Sequence, residues 1–245
     1  MNKQQISSIT SIIDYSILWQ NCSQDSIEKR CKEALDYGFA CIACLPAYVS
    51  SVKKIVDDQL SITAAVGFPL GGSTTKSKIY EALDAIDNGA NEIDVVMNIA
   101  WFKDGLYNDV LNELRQITNQ VKNKKSDCVV KVIIETPHLK KYHELKKACE
   151  LVIESGADFV KEATGFAAGY DGTGVASYSD DEVDSFDNTG IETIKHIYDI
   201  VEGKVKIKPS GDLKNLEECL YCVEEFKVER IGNDFIPQWL EAQNK

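Results

Sequence analysis

Short apolar or β-branched runs recur along the chain, and each is followed by a longer stretch whose apolar positions fall three and four residues apart. Runs of the first kind read as strands and stretches of the second as helices. The pattern predicts strands near 9–13, 40–44, 61–66, 92–97, 129–134, 158–161, 205–209 and 228–231. Between and after them it predicts helices near 24–37, 47–58, 75–88, 106–124, 139–154, 189–202, 214–226 and 235–242.

Ala82, Leu83, Ala85 and Ile86 form an apolar stripe at helical spacing, whereas Ile93, Val95, Val96 and Met97 read as a strand covered on both faces. Helices packed outside a parallel sheet satisfy both patterns. Gly38, Gly89 and Gly156 each stand between a helical stretch and the next strand, where a left-handed residue lets the chain turn back. Eight such units predict a single-domain (β/α)8 TIM barrel over residues 1–245 rather than an open doubly wound sheet. No G-x-G-x-x-G follows the first strand. The long irregular stretch from Gly165 to Asn188 falls after strand six and is expected to be a mobile loop. Its glycines lack the lysine of a phosphate-cradling P-loop.

Composition narrows the classes. The chain of 245 residues is 44% hydrophobic and 27% charged, as expected of a globular domain. A formal net charge of −12 argues against a nucleic-acid partner. No run approaches the roughly 18 apolar residues of a membrane span. The start also lacks the pattern of a secretory signal, so a cytoplasmic location is expected. Eight cysteines include Cys41-x-x-Cys44 and Cys219-x-x-Cys222. Strand alternation sends Cys41 and Cys44 to opposite faces, and the second pair lies in a helical pattern, so these read as packing thiols rather than zinc ligands. His138, His143 and His196 fall outside the predicted strands, which leaves a metal-dependent barrel hydrolase without clustered ligands.

Barrel enzymes carry their reacting groups at the C-terminal ends of the strands. There the chain offers Asp94 in Asn91-Glu-Ile-Asp-Val-Val-Met-Asn98, Lys161 in Asp158-Phe-Val-Lys161, and Lys208 in Val205-Lys-Ile-Lys-Pro-Ser210. Lys161 and Lys208 belong to adjacent strands. Two buried lysines side by side disfavour protonation of one of them, and a neutral lysine attacks carbonyl groups. Asp94, an acid within an apolar strand, needs a charged partner. It is expected to hold Lys208 and to handle protons, with Asn98 placed to bind a substrate hydroxyl.

The chain resembles the deoxyribose-phosphate aldolases, class I aldolases built on an eight-stranded barrel. The likeness runs through Ile13-Asp14, Tyr37-Gly-Phe39, Val66-Gly-Phe-Pro-Leu-Gly71, Lys76, Gly89-Ala-Asn-Glu-Ile-Asp-Val-Val96, Lys131-Val-Ile-Ile-Glu-Thr136, Gly156-Ala-Asp-Phe-Val-Lys161, Thr164-Gly-Phe166, Lys208 and Ser210-Gly211. It implies that Lys161 forms the Schiff base, Lys208 perturbs it, and Asp94 belongs to the proton relay. Substrate contacts are implied at Thr164, Gly165, Gly211 and Gly232. The implied reaction is reversible cleavage of 2-deoxy-D-ribose 5-phosphate to D-glyceraldehyde 3-phosphate and acetaldehyde. It requires no metal or organic cofactor, and a homodimer is implied.

Departures from the family gather at the phosphate pocket. Glu162-Ala163-Thr164-Gly165 replaces the usual Thr-Ser-Thr-Gly, Asp212 follows Gly211, and Asn233-Asp234 follows Gly232. Tyr15-Ser16 stands for His-Thr, and Ala43-Cys44-Leu45-Pro46 for Cys-Val-Asn-Pro. A carboxylate about 6 Å from a dianionic phosphate repels it by about 5 kcal/mol at an effective dielectric near 20. Two further readings follow: an aldolase for an unphosphorylated or cationic acceptor aldehyde, and a catalytically weak barrel acting as a binding or regulatory protein.

Overall fold

The computed structural model describes residues 1–167, 190–210 and 213–243. Its order is α1 (Lys3–Thr10), β1 (Ile13–Ile17), α2 (Gln24–Tyr37), β2 (Cys41–Cys44), α3 (Val49–Val56), β3 (Ser61–Val66), α4 (Thr75–Asp87), β4 (Glu92–Val96), α5 (Ile99–Lys103) and α6 (Tyr107–Lys124). Then come β5 (Val129–Ile133), α7 (Tyr142–Ser155), β6 (Phe159–Lys161), α8 (Gly190–Val201), β7 (Lys206–Lys208), α9 (Leu216–Phe226), β8 (Ile231–Gly232) and α10 (Ile236–Gln243). All strands run parallel in the order β7-β6-β5-β4-β3-β2-β1-β8. A parallel bridge between Ser210 and Gly232 brings the far edges together and closes the (β/α)8 barrel.

The expected strand at 9–13 is corrected: residues 3–10 are helical, and β1 begins at Ile13. Asn2 and Gln5 form a capping box that starts this extra helix. Strand eight is also displaced, from the expected 228–231 to Ile231–Gly232. The short α5, capped by Asn98, breaks what would otherwise be a loop after β4. Gly38 and Gly156 take left-handed conformations at the ends of α2 and α7, as their placement predicts. The expected mobile loop, apart from residues 165–167, lies outside the described residues.

Strand alternation divides the structure into two chemically different cores. Ile13, Ile42, Ile62, Ile93, Val95, Val130, Val132, Val160 and Ile207 face outward and join one apolar cluster with the inner faces of the helices. Their neighbours Asp14, Thr63, Glu92, Asp94, Lys131, Lys161 and Lys208 are buried and face the barrel axis. The usual filling of such a barrel is layers of branched apolar side chains; here much of it is ionic.

Two contacts fix the end of β4, which carries Asp94. Lys78 of α4 and Glu113 of α6 form a fully buried ion pair at 2.8 Å, and Lys78 also donates to the Val96 carbonyl at 2.9 Å. Gly71 has φ +68°, and a Cβ there would lie 2.1 Å from the Met97 carbonyl oxygen, so the β3–α4 loop rests directly on the strand.

Candidate active site

Register places Lys161 beside Lys208 on β6 and β7, and Asp94 beside Lys131 on β4 and β5. Asp94 is completely buried and gathers three lysines. Its Oδ1 accepts from Lys131 Nζ at 2.9 Å, and its Oδ2 accepts from Lys161 Nζ at 2.9 Å and Lys208 Nζ at 2.8 Å. The expected pairing of Asp94 with Lys208 is thus present, with Lys161 on the same oxygen.

Four more groups share the cluster. Asp14 of β1 accepts a hydrogen bond from Lys208, and Lys131 lies 2.5 Å from Glu92 and 3.5 Å from Asp14. Arg230, just before β8, contacts Glu92 at 2.8 Å and Asp14 at 3.1 Å. The second is a charge contact without hydrogen-bond alignment. Lys131 Nζ also donates to Thr63 Oγ1 at 3.1 Å. In the sequence Asp14, Glu92 and Lys131 stand within the family-like stretches without an expected role, and Arg230 stands outside them. The available signal was period 2: each strand residue among them occupies an inward position within an apolar run.

These charges set the state of the lysines. Burial, reinforced by Lys208 and Lys131, lowers the Lys161 pKa from 10.5 to about 8, against the pull of Asp94. At pH 7 roughly one Lys161 in ten is then neutral, against fewer than one in a thousand for an ordinary lysine. Burial alone would raise the Asp94 carboxyl, but Lys131, Lys161 and Lys208 outweigh it and hold it well below the usual carboxylate range. Burial likewise opposes ionisation of Lys131, yet Asp94, Asp14 and Glu92 hold its pKa well above that of free lysine. Of Lys131 and Lys161, the one whose proton is weakened is the one that reaches open space.

That space is a cavity of about 190 Å³ at the C-terminal ends of the strands, with Lys161 in its wall. The volume suits a small molecule, below the roughly 300–1,000 Å³ of drug-sized sites. Thr164, Gly165 and Gly232 line it as expected, with Ser16 and Ser210. Leu18, Trp19, Phe166 and Phe235 make the rest largely apolar, and Asp234 stands among them, accepting from Trp19 Nε1 at 3.3 Å. Gly211 and Asp212 lie outside the described residues.

Several expected residues sit elsewhere. Asn98 is not in the cavity wall; its Oδ1 accepts the Trp101 N–H at 3.1 Å and caps α5. Glu162 follows Lys161 and so points away from the axis; it is buried and accepts the Ser210 N–H at 2.9 Å. Its carboxylate therefore supports the β7 turn from behind. Glu135, after β5, has φ +52° and accepts the Thr164 N–H at 3.0 Å, shaping the turn that follows Lys161. Burial raises its pKa.

Cys41 faces the interior, 3.0 Å from Thr63 Oγ1, while Cys44 belongs to the outer apolar cluster. The two sulfurs thus lie on opposite faces, as alternation predicts. His138 occupies a turn after β5 outside the cavity wall, and His143 and His196 lie in α7 and α8. Asp14, Cys41 and Glu92 approach closely enough to suggest a cation site, but Lys131 and Arg230 already supply its positive charge.

Comparison with known proteins agrees with this arrangement. Residues 10–211 match the model of the DeoC/LacD family aldolases. A deoxyribose-phosphate aldolase of Carboxydothermus hydrogenoformans is 35% identical over 88% of this chain and 87% of its own length. One from Thermoanaerobacter pseudethanolicus is 35% identical over 97% of each. Among solved structures, an aldolase designated QR15 superposes with a TM-score of 0.79 at 30% identity, covering 96% of this chain and 97% of that one. A putative deoxyribose-phosphate aldolase from Coccidioides immitis gives 0.81 at 29% identity, covering 98% and 87%. With its barrel, its inward lysines and this kinship, the chain belongs to the DeoC/LacD family of aldolases and is a class I aldolase, a carbon–carbon lyase.

Proposed function

We propose that Lys161 is the Schiff-base nucleophile of a reversible cleavage of 2-deoxy-D-ribose 5-phosphate, with Asp94 and Lys208 managing its protons. The observation that carries this reading is that Lys161 is buried against Lys208 and Asp94 yet lines the cavity. Neutral Nζ attacks the C1 carbonyl, and loss of water leaves a protonated imine. The C3 hydroxyl then gives up its proton as the C2–C3 bond breaks. Its electrons form the C1–C2 double bond of an enamine, and C3 becomes the aldehyde of glyceraldehyde 3-phosphate. Protonation at C2 and addition of water release acetaldehyde and restore the amine.

Asp94 and Lys208 are shut off from solvent beneath Lys161, so they act on the Lys161 nitrogen itself or through water admitted with substrate. Thr164, Gly165 and Gly232 offer the polar wall for the rest of the sugar, and Asn98 serves by capping the helix after β4. Borohydride reduction with acetaldehyde, followed by peptide mass mapping, tests the assignment. A two-carbon adduct on Lys161, absent from Lys161→Ala, is expected; an adduct on another residue, or none, overturns it.

A second reading concerns the acceptor. Asp234 stands beside Trp19 and Phe235 in a wall where Lys161 is the sole basic side chain among the described lining residues. Asn233 Oδ1 accepts the Phe235 N–H at 2.7 Å, using one of the backbone donors that an anion would need. Both features favour an aldehyde without phosphate. Rates with glyceraldehyde and glyceraldehyde 3-phosphate, in the parent and in Asp234→Asn, separate the two substrates. The family likeness also supports a cytoplasmic homodimer as the setting of the reaction.

A further inference from the structure

The buried cluster does not balance. Among the described residues it holds four cations, the buried Lys131, Lys161 and Lys208 and the partly exposed Arg230, against three carboxylates, Asp14, Glu92 and Asp94. Lys131 contacts all three carboxylates, while Lys208 and Arg230 contact two each. Among the described carboxylates Lys161 contacts Asp94 alone. It is also the one member of the cluster that lines the cavity. A surplus positive charge in a medium of low dielectric is relieved by losing a proton from the cation held least firmly.

We propose that Arg230 is a positioning residue for the nucleophile: by supplying the unmatched charge at the opposite end of the barrel, it keeps Lys161 ready to shed its proton. Arg230 precedes β8, and its partner Glu92 opens β4, so both stand at the N-terminal ends of their strands, away from the cavity. The influence passes through shared carboxylates. Arg230 draws on Glu92 and Asp14; Lys131 and Lys208 then lean more heavily on Asp94, which leaves less of it for Lys161.

Other groups facing the cluster do not alter its count. Burial raises the Cys41 thiol well above its ordinary range and keeps it neutral. Glu135 makes none of these ion pairs; burial raises its pKa, partly offset by the Thr164 hydrogen bond and the Lys161 charge, and it is common to every variant compared. The depressed proton affinity of Lys161 accords with the imbalance.

The inference rests on Lys161 as the imine-forming residue, and its test separates the two. The rate of borohydride-trapped imine formation with acetaldehyde is measured from pH 5.5 to 9.5 in the parent, Arg230→Gln, Glu92→Gln and the double variant. Circular dichroism confirms that each is folded. Arg230→Gln brings three cations against three carboxylates and is expected to move the acid limb up by about one pH unit, about tenfold slower on that limb. Glu92→Gln increases the surplus and is expected to move it down by a similar amount. The double variant restores a surplus of one and the parent profile, and Arg230→Lys retains it. A merely structural role would not reverse sign between the two single variants. Unmoved limbs, or shifts in the same direction, overturn the role of Arg230 and leave the Schiff base intact. Absence of any Lys161 adduct in the parent overturns the Schiff base itself.

Discussion

Replacing Asp94 by Asn separates imine formation from proton handling. The substitution keeps shape but removes, among the described residues, the only carboxylate in contact with Lys161 and one of the two held by Lys208. Lys161 then loses the partner that favours its protonated form. With a pKa near 8 in the parent, about a tenth of it is neutral at pH 7, so complete deprotonation accelerates imine formation by at most about tenfold. Turnover moves the other way. Loss of a group that transfers protons in the transition state typically costs about 10²–10⁴ in rate, or about 3–5 kcal/mol.

Stability falls as well, because uncompensated buried charge costs about 3–5 kcal/mol. That predicts a melting temperature about 6–20 °C lower for a chain of this size, still leaving a folded population at 25 °C. The assay pairs borohydride trapping with steady-state cleavage at pH 7 and 25 °C on the same sample. Trapping equal to or faster than the parent, with turnover at least a hundredfold down, is expected. If trapping declines in step with turnover, Asp94 does no more than hold Lys161 in place, and its role in the proton relay is refuted.

Two further outcomes follow from the ion pairs. Glu113→Gln leaves Lys78 buried without its counter-ion and is expected to lower stability by about 3–5 kcal/mol in urea unfolding, whereas the paired change to Lys78→Met and Glu113→Leu stays within about 1–2 kcal/mol of the parent. Equal losses in both would show that the pair itself stabilises the fold. Lys131 and Arg230, acting against burial, hold Glu92 down at about 2, below its ordinary 4.5, so its contribution is complete above pH 4.5 and is lost as pH falls towards 2. It amounts to about 3 kcal/mol, and Glu92→Gln should therefore flatten the acid limb of the stability profile; an unchanged slope would place the acid sensitivity elsewhere.

The alternation of strands and helices was legible because outward strand residues such as Ile62 and Ile93 and helical stripes such as Ala82 and Ala85 join one apolar cluster, and periodicity reports burial. The first strand was misplaced because Ile9, Ile12 and Ile13 form an apolar run across a helix end and a strand start. The eighth strand has two residues, too few to leave a period. Lys161 and Lys208 were legible from their places at strand ends, and adjacency followed from topology. The reach of the charge cluster was not, since partners as far apart in sequence as Asp14 and Lys208 meet only when the barrel closes. Nor could the sequence orient Glu162, whose direction depends on whether Lys161 points inward.

An ionic barrel interior constrains how such a protein can diverge. A single change at Asp14, Glu92, Lys131 or Arg230 strands a charge in the middle of the fold, so these positions can be exchanged readily only in compensating sets. The rim is under no comparable constraint: Ala163, Phe166, Trp19 and Asp234 sit on turns above the strands and can be replaced one at a time. Novelty in this lineage should therefore accumulate as changes in what the site admits, while the chemistry beneath stays locked by its own charge.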